Sequence, residues 1–301
     1  MLHGWIILDK PIGLGSTQAV AAVKRNLRVA GEPKTKVGHG GTLDPLATGV
    51  LPIALGEATK LAGRMLDATK TYDFTIRFGE ETNTLDMEGE VTATSNVRPS
   101  LAAVEAVLPR FTGEIEQVPP QFSALKIDGK AAYARARAGE HVEMRPRRTS
   151  IHGLKVQGDV AEGDAAALEE LTLSAHVAKG TYIRSLGRDI ARALGTVGHL
   201  SYLRRTRAGP FALAQAISLD FLEQAAKARA LTRMVLPLEA ALDDIPALPV
   251  TPDQAQLLRY GQKLVGYPAR PGLQLAIAEG TPVALVEAST DGLTVVRGFN
   301  L

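Results

Sequence analysis

Apolar positions along this chain recur with two periods, near two and near 3.6, and the two alternate without the regular beat of a βαβ fold. Residues 5–8, WIIL, predict a buried strand, and Lys10, Pro11 and Gly13 then make a turn. Ser16 or Thr17 is placed to cap a helix whose apolar face is Val20, Val23 and Leu27. In 71–78, Tyr72, Phe74, Ile76 and Phe78 fall on one face of a strand. Residues 100–109 repeat as a helix ending at Pro109, and Leu171, Leu173 and Ala175 mark another strand. Leu186, Ile190 and Leu194 give the helix 185–194 its apolar face. Strands and helices mixed in this way predict an α+β fold.

Two regions break the pattern. Residues 117–150, rich in Pro, Gly, Arg and Lys, predict a surface insertion. The run Ile-Pro-Ala-Leu-Pro-Val-Thr-Pro at 245–252 marks a boundary between residues 1–245 and a small unit, 246–301. That unit holds a short helix at 254–260 and strands at 283–286 and 293–296, which flank the turn Ser289-Thr290-Asp291-Gly292.

Composition narrows the function classes. The chain has no cysteine, so disulfides and cysteine zinc sites are excluded. The start, MLHGWIILDKP, has neither the basic opening nor the apolar length of a signal peptide. No apolar run reaches the roughly 18 residues of a membrane span, so a cytoplasmic protein without membrane contact is expected. Net charge is only +2, but cations cluster. Residues 130–150 carry six Lys and Arg against two acids, and 179–207 carry seven against one. Such islands suit a polyanion or are solvated helix faces.

Residues 38–60, GHGGTLDPLATGVLPIALGEATK, carry the chemistry. Five glycines permit close approach of backbone or ligand. Asp44 precedes Pro45, which holds it out of helix and suits a carboxylate on a cleft wall or in a plain surface turn. As a whole the segment resembles the GHxGxLDPxAxGxLxxxxGxATK motif of the tRNA pseudouridine-55 synthases, the TruB family. The likeness continues in order through GWIILDKPIGLGST, KTYDFTIRFGEETNTLDMEGEV, VPPQFSALKIDGKAAYARARAGEHVE and HVAKGTYIRSLGRDIARALGTVGHLSYLRRTRAGPF, covering most of residues 4–211.

The resemblance implies a mixed, mainly antiparallel catalytic domain of pseudouridine-synthase type with an RNA-binding insertion. A small β-rich PUA-like RNA-binding domain would follow, its plain alternative being a stabilising β-appendage. It also implies isomerisation of uridine 55 in the tRNA T-loop, with Asp44 catalytic and no metal or cofactor. Arg184 would pair with Asp44, a cation favouring the charged carboxylate in a dry cleft. Its plain alternative is a surface cation beside a helix. Tyr72 would stack on the extruded uracil or is an ordinary strand aromatic. His39 would handle the flipped nucleotide or simply bond the loop backbone. Tyr182 would shape the pocket, and Lys60 would contact phosphate or support the loop. The glycines then give room for a flipped nucleotide, and the 117–150 insertion and HLSYLRRTR at 199–207 would hold the T-stem-loop. The competing functions are a non-catalytic tRNA-binding or folding factor and an RNA-guided relative. No long basic tail supports the latter, and nothing points to an obligate protein partner.

Overall fold

The computed structural model describes residues 1–123, 125–127, 129–140, 142–158 and 167–301. Among them, nine strands form the larger sheet. Its main path runs Gly4–Lys10, Thr48–Leu55, Gly198–Ala208, Lys70–Phe78, Glu170–Val177, Arg147–Val156 and Gly113–Gln117. Every neighbour on the path is antiparallel except Thr48–Leu55 against Gly198–Ala208. The α+β expectation holds.

The WIIL run is apolar throughout because both of its faces are covered. Ile6 and Leu8 pack with Ala19, Val23 and Leu27 of the helix Ser16–Val29. Trp5 and Ile7 point the other way, into a cluster with Phe211, Leu238, Leu275, Leu285 and Phe299. The Trp5 indole N–H donates to the Leu238 carbonyl at 3.0 Å, so its one polar atom is satisfied in the dry interior. On Lys70–Phe78, the face bearing Phe74, Ile76 and Phe78 packs on Leu186 and Ile190 of the helix Ile183–Ala193. Val104 and Val107 of the helix Leu101–Val107 close the same cluster.

The 117–150 segment joins two adjacent antiparallel strands, Gly113–Gln117 and Arg147–Val156. It holds a short hairpin, Lys126–Ile127 with Lys130–Ala131, and the helix Ala132–Arg137. Ala124, Asp128 and His141 of this segment lie outside the described residues. The smaller sheet is ordered Ala247–Pro249, Gly272–Ala278, Thr281–Ser289, Gly292–Gly298 and Leu264–Val265. Its hairpin turns at Ser289–Gly292, where the sequence predicts it. A helix, Pro252–Arg259, lies on this sheet and is capped by Thr251, whose hydroxyl accepts from the Gln254 N–H. Leu275, Leu285 and Phe299 of the smaller sheet share one core with Trp5.

Two element ends differ from expectation. Gly15, not Ser16 or Thr17, caps the first helix, because the Gln18 side chain takes the Gly15 N–H and the Ser16 hydroxyl is committed elsewhere. The helix expected at 185–194 begins at Ile183, which brings Arg184 into its first turn.

Candidate active site

Residues 40–47 connect the strand Val37–His39 to its antiparallel neighbour Thr48–Leu55. The tight packing of this loop explains its glycines. A Cβ on Gly40 would lie 2.6 Å from the Met65 Cβ. At Gly49, φ is +99° and a Cβ would lie 2.2 Å from the Arg205 carbonyl oxygen. Gly40 and Gly49 thus serve the packing of protein on protein, whereas Gly41 lines the cavity beside Asp44, where a Cβ would meet nothing nearer than the Arg205 guanidinium at 3.5 Å.

Side chains from elsewhere fasten the loop by its main-chain oxygens. The Ser16 hydroxyl accepts from the Leu43 N–H at 2.8 Å and donates to the Leu43 carbonyl at 3.0 Å. Buried Lys10 donates to the carbonyls of Pro11 at 3.0 Å, Leu14 at 2.6 Å and Pro45 at 3.2 Å. Burial pulls its pKa down to about 8, against the pull of the Asp44 carboxylate. Arg205, also buried, donates to the carbonyls of Val50 at 2.7 Å, Gly41 at 3.1 Å and Thr42 at 3.3 Å. Lys70 caps the end of the helix Ala62–Asp67 through the carbonyls of Met65, Leu66 and Ala68. Its pKa is likewise pushed to about 8, by burial first and by Arg205 second.

Asp44 stands on this fastened loop with its side chain 42% exposed, and Arg184, only 6% exposed, meets it at 2.9 Å. The guanidinium does more than pair with Asp44. It donates to the Thr84 carbonyl at 2.7 Å and the Phe122 carbonyl at 2.8 Å, and lies 3.5 Å from the Asp86 carboxylate. Asp86 is oriented in turn by the Thr84 hydroxyl at 2.6 Å and the Glu88 N–H at 3.0 Å. Between them, Leu85 takes φ +62°, a strained value for a branched side chain, and its carbonyl accepts from the Leu200 N–H. Arg184 therefore ties the carboxylate loop, the 84–86 turn and the insertion at one point.

Two cavities meet at this ion pair. One, about 440 Å³, is a slot walled by Tyr72, Val177, Tyr182 and Leu203, with Asp44, Arg184, Lys70 and Arg205 also on its lining. The other, about 1110 Å³, is polar and lined by His39, Thr17, Gln18, Tyr133 and Arg137. Tyr182 caps the helix that carries Arg184, and its N–H is held by the Gln117 side chain at 2.8 Å. A reachable carboxylate, a buried guanidinium that orients it and an aromatic-walled slot suit chemistry on a planar base inserted beside Asp44.

Comparison with known proteins agrees with this geometry. Residues 24–183 match the N-terminal domain of TruB family pseudouridylate synthases, and 184–243 match the C-terminal domain of tRNA pseudouridylate synthase B. The chain belongs to the TruB family. The tRNA pseudouridine synthase B of Novosphingobium aromaticivorans is 61% identical over 301 residues, covering 100% of this chain and 98% of the relative. That of Zymomonas mobilis is 58% identical, covering 99% and 96%. Among solved structures, a chain of a Cbf5–Nop10–Gar1 complex is 28% identical with a TM-score of 0.70, covering 99% of this chain and 84% of that one.

The remaining expected residues of this TruB family chain divide. His39 borders the larger cavity. Its Nδ1 accepts from the Gly41 N–H at 3.4 Å, a long contact that leaves Nε2 to carry the proton. Burial, then the Arg205 charge, lowers its pKa below the ordinary 6.5. The unfolded chain therefore binds the proton more tightly, and His39's contribution to stability is complete above pH 6.5 and lost as pH falls toward the folded value. NMR titration of the His39 ring should give a midpoint below 6.5. A midpoint at or above it would contradict the burial seen here.

Lys60 is not brought to the cleft. It pairs with Glu57 at 2.6 Å and donates to the Gly298 carbonyl at 2.8 Å, while Glu57 accepts from the Asn300 N–H. Its place is at the seam with the smaller sheet. The 199–207 island also turns largely inward. Arg205 is buried, Arg204 forms a two-pronged pair with Asp9 at 2.7 and 3.0 Å, and the His199 ring bonds the Glu80 carbonyl. Arg145, Arg147 and Arg148 of the insertion are exposed. The residues that hold the site together but were not singled out as site residues are Lys10, Ser16, Lys70, Asp86 and Arg205. All five sit in segments the resemblance quotes besides the Asp44 motif, and that position was the only available signal.

Among the described residues, no helix is long and apolar enough to cross a membrane.

Proposed function

We propose that this chain converts uridine 55 to pseudouridine in the T-loop of tRNA. The observation that carries the reading is the Asp44–Arg184 pair at the end of an aromatic slot, in a chain of the TruB family. Uridine and pseudouridine are isomers. The C1′–N1 bond breaks, the uracil turns, C1′ bonds to C5, the C5 proton leaves and N1 gains one. No electron or group is left over, so the protein need supply only positioning, one ionised group and exclusion of water.

Base flipping brings the uridine out of its folded loop at a cost of a few kcal/mol. Tyr72 offers its ring as a stacking surface, and Tyr182 closes the opposite wall. Arg184 holds Asp44 aimed at the ribose–base junction. The exposed arginines of 117–150 meet the phosphate backbone, and His39 lies on the strand's entry side. We assign residues 1–245 to the catalytic domain and 246–301 to a small PUA-like RNA-binding domain. With tRNA as substrate, the site of action is the cytoplasm.

The test is product analysis of the purified protein on a T-stem-loop transcript, with chemical mapping at position 55. Stoichiometric pseudouridine at that position is expected. Binding of the transcript without product would replace this reading with that of a tRNA-folding factor.

A further inference from the structure

Ser123 belongs to the insertion, yet its side chain is buried in the wall where the two cavities meet. Its backbone is pinned from both sides. The preceding carbonyl, of Phe122, accepts from Arg184 at 2.8 Å, and the Ser123 carbonyl accepts from the Tyr133 N–H at 3.0 Å. Among the described residues, the Ser123 hydroxyl has no hydrogen-bond partner. A buried, unpaired hydroxyl costs free energy, and such groups are few in native proteins. Its partner is then something other than the protein's own described groups.

The position indicates which part of a substrate that is. Ser123, Asp44 and Arg184 all border both cavities. A group beside Asp44 lies near the sugar of a bound nucleotide, whereas the far edge of the base reaches into the Tyr72 slot. The hydroxyl nearest the reacting C1′, and the nearest group that both donates and accepts, is the ribose 2′-hydroxyl on the adjacent carbon. Two hydroxyls pair in either direction, since each both donates and accepts. We propose that Ser123 binds the 2′-hydroxyl of the target uridine and thereby favours RNA over DNA at this site. The inference rests on the uridine-isomerising reading above. It adds a specificity residue that touches the sugar without taking part in bond making.

Ser123→Ala separates this role from a structural one. Because the hydroxyl is unpaired in the free protein, its removal should leave the melting temperature unchanged or higher. Over the same substitution, kcat/KM on a T-stem-loop transcript should fall about tenfold. Replacing the target uridine by 2′-deoxyuridine should penalise the wild type and add little further loss in the variant. Unchanged kcat/KM, an undiminished deoxy penalty, or a variant that melts lower or fails to fold would each overturn the assignment. A wild-type protein that forms no pseudouridine on the ribose transcript would instead overturn the underlying reading.

Discussion

The Asp44→Asn protein is expected to bind a T-stem-loop transcript and form no measurable pseudouridine. The substitution removes one charge and almost no volume. The 40–47 loop should keep its shape, because Ser16, Lys10 and Arg205 hold it by the backbone atoms of residues 41–45 and not by the Asp44 side chain. Arg184 loses its nearer carboxylate but keeps Asp86 at 3.5 Å and two carbonyl acceptors. Folding should therefore survive while the carboxylate that Arg184 aims into the slot is lost. A loss of about a thousandfold or more fits the upper range for one positioned reacting side chain. Single-turnover assays with excess enzyme check it, alongside filter binding of the same RNA. Product at more than about one per cent of the wild-type rate would remove Asp44 from the chemistry.

Arg184→Lys should damage both turnover and stability, and the two measurements report different contacts. One planar guanidinium here serves Asp44, Asp86, Thr84 and Phe122. A lysine ammonium keeps the charge but projects its donors from a single point, so it leaves at least one carbonyl and one carboxylate unpaired. At a site so thoroughly buried, that should lower unfolding free energy by about 2–4 kcal/mol in urea titration. Misaiming Asp44 should also cost about a hundredfold in kcat. Wild-type values for both would mean that the ion pair is incidental. Loss of stability with normal turnover would reduce Arg184 to a brace for the insertion.

Much of the fold was legible because burial follows the hydrophobic period. The alternation at 71–78 and the helical face at 186, 190 and 194 produced elements where expected. The site was legible through the ordered resemblance, since no local pattern connects Asp44 to Arg184, which lie on separate elements. Charge was the poor guide. Arg204 and Arg205 belong to an unbroken polar run, Arg204–Arg207, on the strand that also holds His199, and the sequence does not say which of these polar side chains face inward. Arg205 is buried because two loop carbonyls and one of the following strand need a donor there, a fact of tertiary structure alone. Lys60 likewise sits inside the motif but faces Gly298, a residue brought near only when the smaller sheet docks.

The way the Asp44 loop is fastened bears on how freely its sequence can drift. Lys10, Ser16 and Arg205 grip main-chain atoms, and a carbonyl is the same group on every amino acid. The exposed side chain of Thr42 is thus free to vary without loosening the grip, whereas Leu43 is held by its burial in the core as well. Tolerance to mutation should be low at three anchors distant in sequence from the reacting carboxylate and higher at Thr42, only two residues from it.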